Sequence, residues 1–406
     1  MIDIGNALAG RTVVEICNYV SGPMVGRNLA ALGANVLKIE RPGTGDDGRH
    51  SYPAFDGDGL FFTETAYGKK SVVLDLKSEA GLATAVDMID KADILIENMR
   101  PSVMSRIGLD PAMLVSRNPK LVVGSVNAFG TTGPRADDPA YDPVIQAATG
   151  IMYTTGFKGD PPKRIGASIV DKTAALWGTI EVLAAVLEVD RTGEGGHFSV
   201  SLLSSAVHLM GADVLRFLAT GEDSAPSQPR AGGAGASHGA YRTADHRWIQ
   251  VAIGNDRMFE RLCQAAGRPE ILEDPRFATH LLRGENRYDE QEVMERVFAE
   301  RDSAEWVKIL HEVRIPYALV NRIPEFIADN ELSAPFMGVA TRTDGTEIPL
   351  VRGPLDPESA TGESRRVPRL GEDTVSVLRS HLNLSDDAIR DLATRGAFGA
   401  DPALVL

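Results

Sequence analysis

The groups best placed to do chemistry are ionisable side chains at the ends of expected elements. Asp171 stands between a glycine-bearing stretch, Arg164-Ile-Gly166-Ala-Ser-Ile-Val170, and a helix expected over Lys172 to Val189. An aspartate there is ordinarily an N-cap, although Ala174 at the third helical position gives it no capping box. The other reading is a carboxylate held at a helix start and available as a nucleophile. Four cations, Arg41, Lys77, Arg100 and Arg106, come just after expected strands. In a parallel sheet the strand C-termini share one edge, where open α/β sheets bind their ligands. Each cation alone reads as a solvated surface charge; together they suggest a ligand that bears phosphate. His238 follows a glycine-rich stretch and could carry a proton, but a lone loop histidine is more often an ordinary polar residue. His197 and His208 fall on expected elements, where packing is the commoner role.

Other chemistries find less support. Gly43-Thr-Gly45-Asp-Asp-Gly48 matches a dinucleotide fingerprint in letters, but Arg49-His50-Ser51-Tyr52-Pro53 follows it where a helix should begin, and two aspartates would repel phosphate. No HExxH or P-loop string occurs. Cys17 and Cys263 lie far apart without CxxC or Cys/His spacing, so neither a disulfide framework nor a zinc site is indicated, and a cytoplasmic setting fits. A formal net charge of -14 argues against nucleic acid or an anionic membrane as partner. The N-terminus lacks a signal-peptide pattern, and no apolar run approaches the roughly 18 residues of a membrane span. The expectation is a soluble, unprocessed protein.

The elements that must position these groups follow from periodicity. Short β-branched runs alternate with helical segments from Arg11 to about Thr220, the pattern of βαβ units around a parallel sheet, so the fold class is α/β. Strands are expected at Thr12 to Ile16, Asn35 to Glu40, Ser71 to Leu76, Ile94 to Asn98, Leu121 to Val126 and His197 to Ser201. Gly22-Pro23 opens the first helix and Gly33 closes it. A large domain is expected over 1–220, a glycine-rich linker over 221–239, a small α+β domain over 240–335, and a return to the large domain over 336–406. The small domain has an expected strand from Trp248 to Ile253 and helices at Asp256 to Ala266, Asp289 to Ala299 and Ala304 to Val313. In the tail, Ser385 reads as an N-cap.

Several strings, taken together, are similar to the class III CoA-transferases, the group of formyl-CoA transferase, carnitine CoA-transferase and α-methylacyl-CoA racemase. They are Gly22-Pro23, Leu32-Gly-Ala-Asn-Val-Leu-Lys-Ile-Glu-Arg41-Pro-Gly, Lys70-Ser-Val-Val-Leu-Asp-Leu-Lys77, Ala92-Asp-Ile-Leu-Ile-Glu-Asn98-Met-Arg100-Pro and Arg106-Ile-Gly108. Phe129-Gly-Thr-Thr-Gly-Pro134, Tyr141-Asp142-Pro-Val-Ile-Gln146, Arg191-Thr-Gly-Glu-Gly195 and Pro368-Arg-Leu-Gly371 complete the series in family order. The resemblance implies a Rossmann-like large domain built from both chain ends, in an interlaced homodimer. It places the nucleophile on Asp171, and the contacts to CoA on Val20, Ser21, Arg41, Leu74, Lys77, Asn98, Met99, Arg100, Arg106, Tyr141 and Asp142.

The implied reaction moves CoA from an acyl-CoA to a small organic acid, with CoA as substrate and neither a tightly bound cofactor nor a metal. N–H donors for its oxyanions would come from helix starts and from Gly232, Gly233 and Gly235, with His238 nearby; Lys163 and Arg164 are further candidates for carboxylate recognition. The family's racemases carry Gly-His-Asp where this chain has Ala140-Tyr141-Asp142. A tyrosine with a pKa of about 10 is a poor partner for two-base proton exchange, which favours transfer over racemisation or isomerisation at the α-carbon. Val20 replaces the polar amide of formyl-CoA transferase, and the glycine loop reads Gly-Gly-Ala-Gly; both departures weigh against an oxalate and formate pair.

Overall fold

The computed structural model describes residues 4–156, 159–223, 238–356 and 366–399. The chain divides into two compact units, one of residues 1–149, 166–211 and 335–406, the other of residues 150–165 and 212–334.

The first unit is built on six strands: β1 (Thr12–Ile16), β2 (Asn35–Glu40), β3 (Lys69–Val73), β4 (Ile94–Glu97), β5 (Val122–Asn127) and β6 (Gly196–Ser201). Every pairing is parallel and the spatial order is β3-β2-β1-β4-β5-β6. The fold is therefore α/β with the Rossmann strand order, whose direction of winding reverses between β1 and β4. The central strands β1 and β4 are mostly Val, Ile and Leu, as expected where both faces are covered.

The third strand starts and ends earlier than its apolar run. Lys69 can open β3 inside the core because its ammonium reaches Glu15 Oε2 at 2.5 Å and the Pro23 carbonyl at 2.6 Å. At the other end Leu74 N–H still bonds Glu40 O, but Asp75 N–H turns away to Ala397 O. That bond ties the sheet to the C-terminal segment. There, helices at Thr374–Leu382 and Asp386–Thr394 place Val377, Leu378, Leu382 and Ile389 in one core with Val14, Leu37 and Leu95. Ser385 caps the second of these through Ala388 N–H.

Four helices matter for the site: α1 (Ser21–Ala31), α2 (Asp142–Ala148), α3 (Ile169–Thr192) and α4 (Leu202–Leu209). α1 and α3 approach closely: a Cβ on Gly178 of α3 would lie 2.9 Å from Val25 of α1, and Asn28 donates to Thr179 Oγ1 at 3.0 Å. Any larger side chain at 178 would push the two helices apart. Gly193, at φ 77°, ends α3 in the left-handed conformation.

The second unit has a three-stranded antiparallel sheet of His238–Arg242, Trp248–Ala252 and Tyr317–Leu319. Helices Asp256–Ala266, Arg287–Phe298 and Ser303–Glu312 bury Phe259, Phe298 and Trp306 with it, and Trp306 Nε1 donates to Phe298 O at 2.9 Å. Among the described residues no single helix is long and apolar enough to cross a membrane.

Candidate active site

The crevice between β1 and β4 is where the first unit opens. The loop after β1 and the turn after β4 are joined by one amide: Asn98 Oδ1 accepts Asn18 N–H at 2.9 Å and Asn98 Nδ2 donates to Asn18 O at 2.8 Å. Glu97, buried at the end of β4, accepts Met99 N–H at 2.8 Å and so fixes the same turn. Burial pushes its carboxyl up to about 7.

The β1 loop is gripped from below as well. Lys38, fully buried, donates to Cys17 O at 2.7 Å and pairs with Glu15 and Asp46, each at 2.8 Å. Asp46 in turn accepts Tyr19 N–H at 2.9 Å and Gly48 N–H at 2.7 Å. Asp46 and Asp47, which would repel phosphate if they faced it, are thus engaged elsewhere: Asp46 in the core and Asp47 with the Arg41 guanidinium. The stretch after Gly45 is a short 3₁₀ turn, Asp47–His50, with no dinucleotide-type helix.

Above this crevice lies a cavity of about 380 Å³ lined by Asn18, Tyr19, Val20, Ser21, Asn98, Met99, Arg100, Asn127, Tyr141 and Asp171, among others. Asp171 occupies the third position of α3, which starts three residues earlier than its sequence pattern indicates. It is therefore not the cap. The capping carboxylate comes from Asp142, at the start of α2: its Oδ2 accepts the Val170 and Asp171 N–H groups at 2.7 and 3.1 Å, and its Oδ1 accepts from Gln146 Nε2. Asp142 is itself 3% exposed.

The Asp171 carboxylate has no hydrogen-bond partner among the described residues. Burial, reinforced by the charge of Asp142, pushes it up to about 7. A carboxylate that is poorly solvated, unpaired and open to a cavity has a reactive oxygen free to attack an electrophile. Its neighbour Lys172 is directed to Glu64, 2.7 Å away.

Of the residues singled out in the sequence, Val20, Ser21, Asn98, Met99, Arg100, Tyr141 and Asp171 line this one cavity. Arg41, exposed, is paired with Asp47; Leu74 is buried in the core; Lys77 and Arg106 are exposed on the same unit. His238 opens a strand of the second unit, and Gly232, Gly233 and Gly235 lie outside the described residues. Tyr19 and Asn18 had no sequence signal of their own, and nothing in the sequence gave Asp46 or Glu97 its role of holding the loops. Among the described residues no cluster of three His, Cys, Asp or Glu side chains could hold a metal ion.

A Rossmann-ordered sheet with a cavity at its switch point, and a half-buried carboxylate on the wall of that cavity, defines an α/β enzyme that works on a ligand held at the strand C-termini. The model of CoA-transferase family III matches residues 8–374, and the chain belongs to that family; it is a CoA-transferase. It is 35% identical to the acetyl-CoA:oxalate CoA-transferase of Acetobacter aceti, over 76% of this chain and 79% of that protein. It is 32% identical to the succinate–glutarate CoA-transferase of Agrobacterium fabrum, over 91% of this chain and 94% of that protein. A crystal structure of a CaiB/BaiF family protein from Brucella suis superposes with a TM-score of 0.79 at 28% identity, covering 92% of this chain and 99% of the other.

Proposed function

We propose that the chain moves CoA between an acyl-CoA and a free carboxylic acid through covalent intermediates on Asp171. The observation that carries this reading is the unpaired, half-buried Asp171 carboxylate on the wall of the switch-point cavity. Asp171 attacks the thioester carbonyl, giving a mixed anhydride and CoA thiolate. The thiolate attacks the aspartyl carbonyl, which releases the first acid and leaves an aspartyl-CoA thioester. The acceptor acid attacks that thioester and expels the thiolate, which then takes the acyl group from the second anhydride and frees Asp171. The acceptor step brings one desolvated carboxylate onto the aspartyl-CoA thioester, and a site that excludes water keeps that thioester and the anhydrides from hydrolysis.

Beside the acetyl group of one donor, the acids named for these two relatives, oxalate, succinate and glutarate, are dicarboxylates, and we extend that class to the acid used by this chain. CoA would lie along the loops after β1 and β4, with Arg100 at the cavity and Arg41, Lys77 and Arg106 near the same strand ends supplying positive charge to its phosphates. Tyr141, 61% exposed, holds the position that an acid–base histidine would need for racemisation.

A second copy of the chain supports the site in this reading. Leu176, Ile180 and Leu187 are 57, 53 and 70% exposed and lie along one stripe of α3, the helix that carries Asp171. Covering them in a homodimer removes a large apolar face from water. Cys17 and Cys263 are both buried free thiols, in keeping with a cytoplasmic setting.

The test is trapping. Protein incubated with succinyl-CoA and then treated with borohydride or hydroxylamine should carry the modification on Asp171 by mass spectrometry. An Asp171→Ala variant with undiminished transfer, or α-carbon deuterium exchange without any acceptor acid, would overturn the assignment.

A further inference from the structure

Tyr19 adopts φ 66°, in the left-handed region that bulky residues avoid. Strain of this kind persists only where surrounding structure over-determines it, and it concentrates at functional sites. Here the clamp is visible: Asp46, neutralised in the core by Lys38, takes the Tyr19 N–H, while Asn98 fixes both backbone groups of Asn18 immediately before it. The clamp sets the Tyr19 ring edge-on to Tyr141, with centroids 5.4 Å apart and planes at 72°. Tyr141 adjoins Asp142, whose carboxylate holds the Asp171 N–H. Both tyrosines and Asp171 line the same cavity.

The phenol of Tyr19 has no hydrogen-bond partner among the described residues. Burial, together with Tyr141 and the nearby carboxylates Asp47 and Asp46, raises it above its ordinary value, so at neutral pH it remains an O–H donor. A strained residue is thus held rigidly with its donor unspent. Asn98, on the same cavity, makes the contrast clear, since both ends of its amide are used by the scaffold.

Building on the reading of Asp171 as nucleophile, we propose that Tyr19 is a specificity-determining residue whose phenol O–H binds the non-reacting carboxylate of a dicarboxylic acyl group or acid. The left-handed backbone is what brings the phenol beside Tyr141 rather than out along the loop.

The experiment compares wild type with Tyr19→Phe, which keeps ring, clamp and Tyr141 contact. Steady-state transfer from acetyl-CoA is measured to succinate, glutarate and butanoate, alongside the Kd for free CoA. Loss of a hydrogen bond to a charged oxygen should lower kcat/KM about tenfold or more for the dicarboxylates, with butanoate and free CoA within about twofold. Tyr19→Asn, which tolerates the left-handed conformation but lacks the reach, should show the same selective loss, and guards against a folding defect in the first variant. An unchanged dicarboxylate-to-butanoate ratio overturns the inference, and so does a parallel loss of free CoA affinity, which would put the phenol on CoA. Wild-type protein that transfers CoA to no acid would instead overturn the parent reading and this one with it.

Discussion

Replacing Asp171 by asparagine should change stability in a pH-dependent way, in the variant's favour as pH rises. The carboxyl is pushed up to about 7 in the fold, chiefly by burial and then by Asp142, against about 3.9 in an unfolded chain. A carboxyl whose folded pKa is raised loses stability as pH climbs from its unfolded to its folded value. The penalty is therefore negligible well below about pH 4 and complete above about pH 7. At about 1.36 kcal/mol per pH unit, it is roughly 1.5 kcal/mol at pH 5 and about 4 kcal/mol at pH 8. Asp171 is only half-buried by exposure, and residual contact with water trims the difference between the two pH values to about 1–2.5 kcal/mol. The asparagine amide brings its own cost of about 1–3 kcal/mol if unpaired, but that cost is independent of pH. Urea unfolding of wild type and Asp171→Asn at pH 5 and pH 8 isolates the charge. The variant should gain on wild type as pH rises, while transfer activity is lost. A stability difference that is the same at both pH values would refute the claim that Asp171 is a destabilised charge held for chemistry.

Other consequences follow from the same geometry. Only the ionised nucleophile attacks, so kcat/KM for the acyl-CoA donor should rise with pH around a midpoint near 7; Asp142→Asn should move that midpoint downward, and an upward or absent shift would count against the pairing. Lys38→Met leaves Asp46 a buried charge without its cation, while Glu15 keeps Lys69, and should cost about 3–5 kcal/mol in thermal or urea unfolding. Leu176→Arg places a charge on the exposed stripe of α3; light scattering should show a homodimer shifting to monomer, and an unchanged mass would remove the stripe from the interface.

What the sequence made legible is what repeats. β1 and β2 begin and end where the sequence pattern places them, because parallel strands covered on both faces are mostly apolar; the charged exceptions inside them, Glu15 and Lys38, pair with each other. The helix Asp256–Ala266 follows its apolar period between an asparagine cap and Gly267. β3 departs from its run because Lys69, a charge that pattern reading assigns to a flank, is satisfied inside the core by Glu15, 54 positions earlier in the chain. No local rule contains that partner.

The site divides in the same way. Strand ends can be read from hydrophobic runs, so the sheet edge that carries the cavity was legible in the sequence; its place between β1 and β4 comes from the strand order. How its residues are oriented was not legible. The cap of α3 is a carboxylate 28 positions away from the N–H group it holds most tightly, and a reader confined to Asp171 and its neighbours assigns the cap to Asp171 itself. The two readings differ in consequence. An aspartate that caps its own helix spends its oxygens on backbone N–H groups and is held in the low carboxylate range, poorly suited to attack. With Asp142 taking the capping role, Asp171 keeps its oxygens free, and the charge of the cap raises its pKa. The residue that makes Asp171 available as a nucleophile is thus also one of the two causes of its perturbed titration, which is why the Asp142→Asn pH profile probes the arrangement more directly than removal of Asp171.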